Sequence, residues 1–383
     1  RSAQCQSNLR QFGIGFMIHA DHDPYTRYCT GAYDNRRDGC VDSYGWVADL
    51  VNSGYCRPVD MLCPSNPAKG MEKLNDLLGG SSVTGAEVAD VKDQAAGACS
   101  QTDMIGVNAS GTATADAVSK YIIDKGYSSN YVASNFFVRG QPRTVVTNVV
   151  QAANGKITGY EIHTESMGRQ GVAYTNYKAK DCGDGPIRRS DIDKSSIPSN
   201  MIPLLGDCTP GDPNAAVLLA ALTYKGKPFL GAGDRLVESF NDGPATWGGA
   251  SGIDTVSPNN ATVGVVANLN TAGTTSYSGQ VFEEAQSANY GSLCLQDTRD
   301  WMCYHNGSCN ILMADGSVQQ FGDANGDGLL NPGFPVTGAG AVQYVVNATT
   351  GTLASRVGFT GPEEDLPRTQ VFSGMFYKNV WQK

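Results

Sequence analysis

The run Asp323-Ala-Asn325-Gly-Asp327-Gly328-Leu329-Leu-Asn331 carries the strongest local chemical signal in the chain. Side-chain oxygens fall at loop positions 1, 3 and 5, a glycine suited to a sharp turn stands at 6, and a backbone carbonyl at 7 (Leu329) and an oxygen at 9 (Asn331) complete a set that can wrap one calcium ion. Position 12 departs from the EF-hand pattern, because Phe334 stands where a bidentate Glu would be and Pro332 stops a following helix. The missing carboxylate must then come from elsewhere, or the site is weak. Calcium is the expected cofactor, and the competing reading is an Asx-rich turn between strands.

Other polar groups point less sharply. His19 and His22 lie beside Asp21 and Asp23 and could bind a metal, but at the end of a helix they read as solvated polar residues. His163 sits in an alternating strand pattern. Glu283 and Glu284, or Glu363, Glu364 and Asp365, could include the two carboxylates of a glycosidase, although a solvated charge run is the plainer reading. No Walker loop, G-x-G-x-x-G after a strand, H-E-x-x-H or G-x-S-x-G occurs, and the chain has only 4 histidines. A non-enzymatic role is expected, with no catalytic residues assigned.

Eleven cysteines occur without a single C-x-x-C pair, which argues against zinc ribbons, fingers and thioredoxin-like sites. Disulfides are the better reading. Cys29 with Cys40, Cys56 with Cys63, Cys182 with Cys208 and Cys303 with Cys309 would close short loops in an oxidising compartment, though connectivity stays open and the odd number leaves one thiol over.

Several elements must position these groups. Leu9, Phe12, Phe16 and Met17 recur at helical spacing, widened by Ile14 and Ile18, and Asp21 to Pro24 ends the pattern. Thr84 three residues before Glu87 predicts a capping box leading into 86–96, and Thr114 predicts a second short helix stopped at Gly126. From Tyr131 the chain turns β-rich: 136–139, 144–150 and 156–162 read as strands, with Asn154-Gly155 as a hairpin turn. Further strands are expected at 310–313, 317–321 and 342–346, the first two joined at Asp315-Gly316.

Composition sets the class. At 383 residues one large core or two modest ones can form. Lys+Arg 28 against Asp+Glu 37 gives a net charge of -9, leaving counterion release no basic surface to act on, so nucleic acid is not an expected partner. Charged residues are only 17% and glycines number 46, a balance that suits a turn-rich β protein outside the cell. The longest apolar run, Ala215 to Leu222, is of core length rather than membrane length.

Two stretches together resemble one family. The opening Cys5-Gln-Ser-Asn8-Leu9-Arg10-Gln11-Phe-Gly-Ile-Gly-Phe-Met-Ile-His19 looks like the segment that follows the membrane helix in prepilin-type proteins of planctomycetes, relatives of the type II secretion major pseudopilin. Near the other end, His305, nine residues and Asp315-Gly316 match the His-X9-Asp-Gly signature of that family. Leu62-Cys63-Pro64-Ser65, Asn130-Tyr131-Val132, Ile202 to Asp207 and Gly233-Asp234-Arg235 are similar to it as well.

The resemblance implies a type IV pilin-like α+β fold. In it, residues 1–22 form the C-terminal part of the N-terminal helix, packed on a β-rich, mainly antiparallel head over 23–383 with short helices inserted about 84–126. It implies membrane attachment only through an apolar segment upstream of these residues. The signature itself reads as structural, with His305 hydrogen-bonding across the Asp315-Gly316 turn to fix the register; metal or ligand contact is the other reading. The expectation is a secreted or cell-surface structural subunit whose partners are copies of itself. Its rival is a secreted carbohydrate-binding or glycoside-hydrolysing protein using Trp46, Trp247 and Trp301 as sugar platforms.

Overall fold

The first helix, α1 (Ser2–His22), shows why its residues cannot stand alone: Cys5, Leu9, Phe12, Phe16 and Ala20 are buried on one face, while Gln4, Ser7, Arg10 and Gln11 face outward. In the computed structural model, which describes residues 1–80, 83, 87–104, 114–151, 153–155, 157–164, 177–180, 182–211, 215–247, 253–255, 262–267, 294–336 and 358–374, this face lies between a sheet and a second helix, α2 (Trp46–Asn52). Phe12 meets Trp46 and Tyr131 edge-on at ring-centre distances of 6.1 and 5.5 Å, and Phe16 meets Phe137 at 4.7 Å. Gly13 and Gly15 allow the approach, because a Cβ on Gly13 would lie 2.9 Å from a Leu312 methyl and one on Gly15 would lie 2.4 Å from a Leu50 methyl. Ile14, expected on the apolar face, is 49% exposed.

Twelve strands follow among the described residues: β1 (Tyr131–Ala133), β2 (Thr144–Gln151), β3 (Ile157–Thr164), β4 (Pro203–Asp207), β5 (Leu222–Tyr224), β6 (Lys227–Leu230), β7 (Gly243–Trp247), β8 (Ile253–Thr255), β9 (Thr262–Ala267), β10 (Cys294–Asp297), β11 (Ser308–Met313) and β12 (Val318–Gly322). Every pair among them is antiparallel, and the sheet under α1 has the order β1-β4-β11-β12. The protein is α+β. The expected hairpins at Asn154-Gly155 and Asp315-Gly316 form, the latter with Gly316 at φ +84° and the Ser317 N–H on the Asp315 carboxylate at 2.9 Å.

Two local expectations differ from the structure. Residues 136–139 form part of a short helix, Asn135–Arg139, because the Ser134 hydroxyl accepts the Phe137 N–H at 3.1 Å and caps it. The helix expected at 86–96 shrinks to Val91–Gln94, since Glu87 is drawn into a buried ion pair with Arg37 at 2.8 Å. Thr84 and the strand at 342–346 lie outside the described residues. The Thr114 cap is present, its hydroxyl accepting from the Ala117 N–H.

Polar clamps run through the core. Arg139 holds Asp38 at 2.6 Å with both side chains buried, and Arg37 bridges Asp34 and Glu87. Burial raises the Asp34 carboxyl, but Lys73 and Arg37 overcome it and hold it at about 2.

Candidate metal centre

Four chain segments converge under the first turn of α1. Cys5 points from α1 toward the sheet, and Cys63 sits in the loop after the turn at Pro58–Asp60. That loop is fixed by Asn130, whose side-chain oxygen accepts the Cys63 N–H at 2.8 Å and whose amide donates to the Cys63 carbonyl at 3.1 Å. Asp207 is the last residue of β4, opposite Tyr131 of β1. His305 lies in the turn that enters β11, where its N–H donates to the Ser308 carbonyl at 2.9 Å.

All four side chains are buried, and one donor atom from each, two sulfurs, a carboxylate oxygen and an imidazole nitrogen, lies within 4.8 Å of every other. The Cys5 thiol donates to Asp207 Oδ1 at 2.9 Å, His305 Nε2 is 3.2 Å from Asp207 Oδ2, and Cys63 Sγ is 3.5 Å from the same Nε2. Asn310 on β11 holds the carboxylate from behind, with its backbone N–H at 2.9 Å and its side-chain amide at 3.3 Å from Oδ2. The neighbouring Cys63 thiol, then burial and the Asp207 charge, push Cys5 well up, whereas the Cys5 thiol lowers Cys63. His305 is raised, chiefly by its bond to Asp207. This set can hold a metal ion, close a disulfide between its sulfurs, or remain a proton-sharing network.

The signature is therefore read differently from the sequence expectation. His305 does not reach across the Asp315-Gly316 turn; it sits at the opposite end of β11 and bonds to β4 through Asp207. Both ends of the signature nevertheless serve α1: His305 bonds Asp207, which accepts the Cys5 thiol, and a Cβ on Gly316 would lie 3.0 Å from Met17 Cε. The spacing has a physical reason: from Cys5 to Met17 a helix rises ~18 Å, and the six residues of β11 cover ~17 Å. Nine intervening residues make the strand as long as the helix face it supports. In the sequence Cys5, Cys63, Asp207 and His305 stand in four separate family-like stretches; only the tertiary fold joins them.

The loop at 323–331 is a set of Asx turns. Asp323 Oδ1 accepts the N–H groups of Asn325 and Gly326, Asp323 Oδ2 accepts that of Gly328, and Asp327 accepts from Leu329 and Thr360. Glu363 Oε2 lies 3.2 Å from the Asn325 amide. Asn331, expected as an oxygen ligand, is turned inward instead: Oδ1 accepts from Gly333 and Phe334, and its amide donates to the Phe334 and Gly361 carbonyls. Leu329 packs its side chain in a small core with Phe334 and Phe359.

The cysteine pairing also differs. Cys40 is bonded to Cys99, not to Cys29, and so staples the loop after Cys29 to the helical insertion. Cys29, Cys56, Cys63, Cys182, Cys208, Cys303 and Cys309 are thiols, so none of the four short-range bridges is made. The reason is orientation: Cys29 donates to the Phe137 carbonyl, Cys63 faces Cys5, Cys208 points at the Glu238 carbonyl, and Cys309 lies beside the Asp207 carbonyl. Asp21 pairs with Arg189 and Asp23 with Arg27, while His22 bonds the Ile18 carbonyl, so the residues near His19 do not converge. Trp46 and Trp301 are fully buried in the core and offer no sugar platform. Glu283 and Glu284, and the Trp247 side chain, lie outside the described residues.

No protein-family model, curated protein or solved structure matches the chain.

Proposed function

We propose that this protein is a non-enzymatic building block of an extracellular, pilus-like filament or other cell-surface assembly, in which α1 is the distal part of a filament helix and the sheet-bearing body is the head. The observation that carries the reading is the use of the signature: its histidine, through Asp207 and Cys5, and its Asp-Gly turn, against Met17, brace the two ends of α1 on the sheet, with His305 turned inward. Burial of this side chain supports a role in holding the helix rather than in meeting a substrate. Contacts between copies are then the function, and α1 keeps an outward face of Gln4, Ser7, Arg10, Gln11 and the exposed Ile14 for them.

Two further features support the reading. A disulfide spanning 59 residues suits an oxidising compartment. Calcium belongs to the proposal at Asp323, Asn325 and Asp327, with Glu363 from the neighbouring segment in place of the absent position-12 carboxylate. The buried Trp46 and Trp301 count against the sugar-binding rival.

The test is immunogold labelling of native material with antibodies to this chain, followed by negative-stain microscopy. Labelled filaments or surface arrays are expected. Antigen found only as a dispersed monomer, active on glycosides and unassembled at any calcium concentration, would overturn the proposal.

A further inference from the structure

We propose that Cys5, Cys63, His305 and Asp207 bind one zinc ion as a closed structural site that locks α1 to the head. The donors decide the class of metal: two sulfurs and an imidazole are borderline-soft ligands suited to zinc and unsuited to calcium or magnesium. A tetrahedron with Zn–S near ~2.3 Å and Zn–N or Zn–O near ~2.0–2.1 Å has edges of ~3.3–3.8 Å between donor atoms. The His305–Asp207 Oδ2 separation of 3.2 Å and the Cys63–His305 separation of 3.5 Å already stand close to those edges, while Cys5 now contacts the other oxygen, Oδ1, at 2.9 Å and would exchange that hydrogen bond for the metal.

The surroundings match such a centre. Asn310 donates twice to Asp207, and Asn130 fixes the Cys63 backbone from both sides, which are the outer contacts that orient ligands. All four ligands are protein groups and all are buried, so no position is left for water or substrate. Loading is balanced without any redox partner: two thiol protons pass to solvent as two sulfur–metal bonds form, and the neutral imidazole and the carboxylate supply the other two bonds. A Cys5–Cys63 disulfide is the rival occupant. It would use only the sulfurs and leave unexplained why a histidine and a carboxylate, brought in from positions 305 and 207, close on the same point. The proposal stands independently of the filament reading, and each can fail without the other.

The experiment is metal analysis of the full chain purified under reducing conditions with zinc, then exchange into cobalt. One zinc per chain is expected to survive dialysis, and cobalt should give the intense visible bands of a tetrahedral site with a thiolate charge-transfer band. The Cys5→Ser/Cys63→Ser double variant should lose both signals, and Asn310→Ala should bind about 10- to 100-fold more weakly while remaining folded. Folded wild-type chain with no zinc above the buffer blank and no cobalt spectrum would overturn the proposal, as would a Cys5–Cys63 disulfide mapped in protein prepared with zinc. The wild-type measurements decide the matter even if the double variant fails to fold.

Discussion

The centre beneath α1 and the loop from Asp323 to Asn331 both gather several polar ligands around one point, yet they are assembled in opposite ways. The loop takes its groups from nine consecutive residues, bonds them to its own backbone, and leaves Asp323, Asn325 and Asp327 near solvent. The centre takes four residues from positions 5, 63, 207 and 305 and buries them all. A local cluster can lose a member and let water replace it. A buried cluster has no such recourse, because each remaining polar atom keeps its full desolvation cost.

The sharpest break of this contrast is Asp207→Ala in metal-free protein. It strips the partner from His305, Cys5 and Asn310 at once inside the core, so unfolding stability measured in urea should fall by about 3–5 kcal/mol. A loss under ~1 kcal/mol would mean that water reaches the centre and that the two regions are alike after all.

Asp49 provides a second buried carboxylate for comparison, this one held by the backbone and hydroxyl of Thr30. Burial pushes its carboxyl up to about 7 despite those bonds. The folded state then holds a proton that the unfolded state releases, so the stabilisation is complete below about 3.8 and declines as pH rises toward about 7. Denaturant titrations across that window should show a decline of order 2–4 kcal/mol from this group, removed in Asp49→Asn. Asp34 slopes the other way: held at about 2 by Lys73 and Arg37, it loses its contribution only as acid protonates it below its unfolded value of 3.8.

What the sequence discloses follows the same division. The period of Leu9, Phe12 and Phe16 marks α1, and the turn signals at Asn154-Gly155 and Asp315-Gly316 mark two hairpins, because each of those signals lies within one element. Ile14 misleads because an apolar side chain on a helix flank costs little when half exposed. Phe136 to Val138 look like a strand by residue type, and the Ser134 cap outweighs that preference. The cysteines mislead most. Nearness in sequence suggests short bridges, whereas Cys40 finds Cys99 and Cys63 finds Cys5 through tertiary packing that no local pattern encodes. All four residues of the centre stand in isolated motif stretches of the sequence; that Asp207 and His305 meet is a property of the sheet order β1-β4-β11-β12.

The far end of the signature tests whether the turn matters as much as the histidine. Gly316 sits at φ +84° with Met17 Cε 3.0 Å from where a Cβ would be, so Gly316→Ala combines backbone strain with a push on α1. The expected loss is about 1–2 kcal/mol by thermal or urea unfolding. Met17→Ala in the same background should relieve the steric share and leave the backbone share.

The smallest effect belongs to the loop. Asp327→Ala removes the acceptor for the Leu329 and Thr360 N–H groups, but these lie where water can take its place, so without calcium the loss should be about 0.5–1.5 kcal/mol. Added calcium separates two possibilities that the same geometry permits. If the loop binds the ion, wild-type stability rises with calcium concentration while Asp327→Ala stays flat, because a ligand stabilises only the state that holds it. If both proteins ignore calcium up to millimolar levels, the Asx turns alone explain every hydrogen bond seen between Asp323 and Leu329. The two regions would then differ in more than burial: one would be a centre shaped for a metal, the other only a hinge-free turn that carries Asp365 and Phe334 into place.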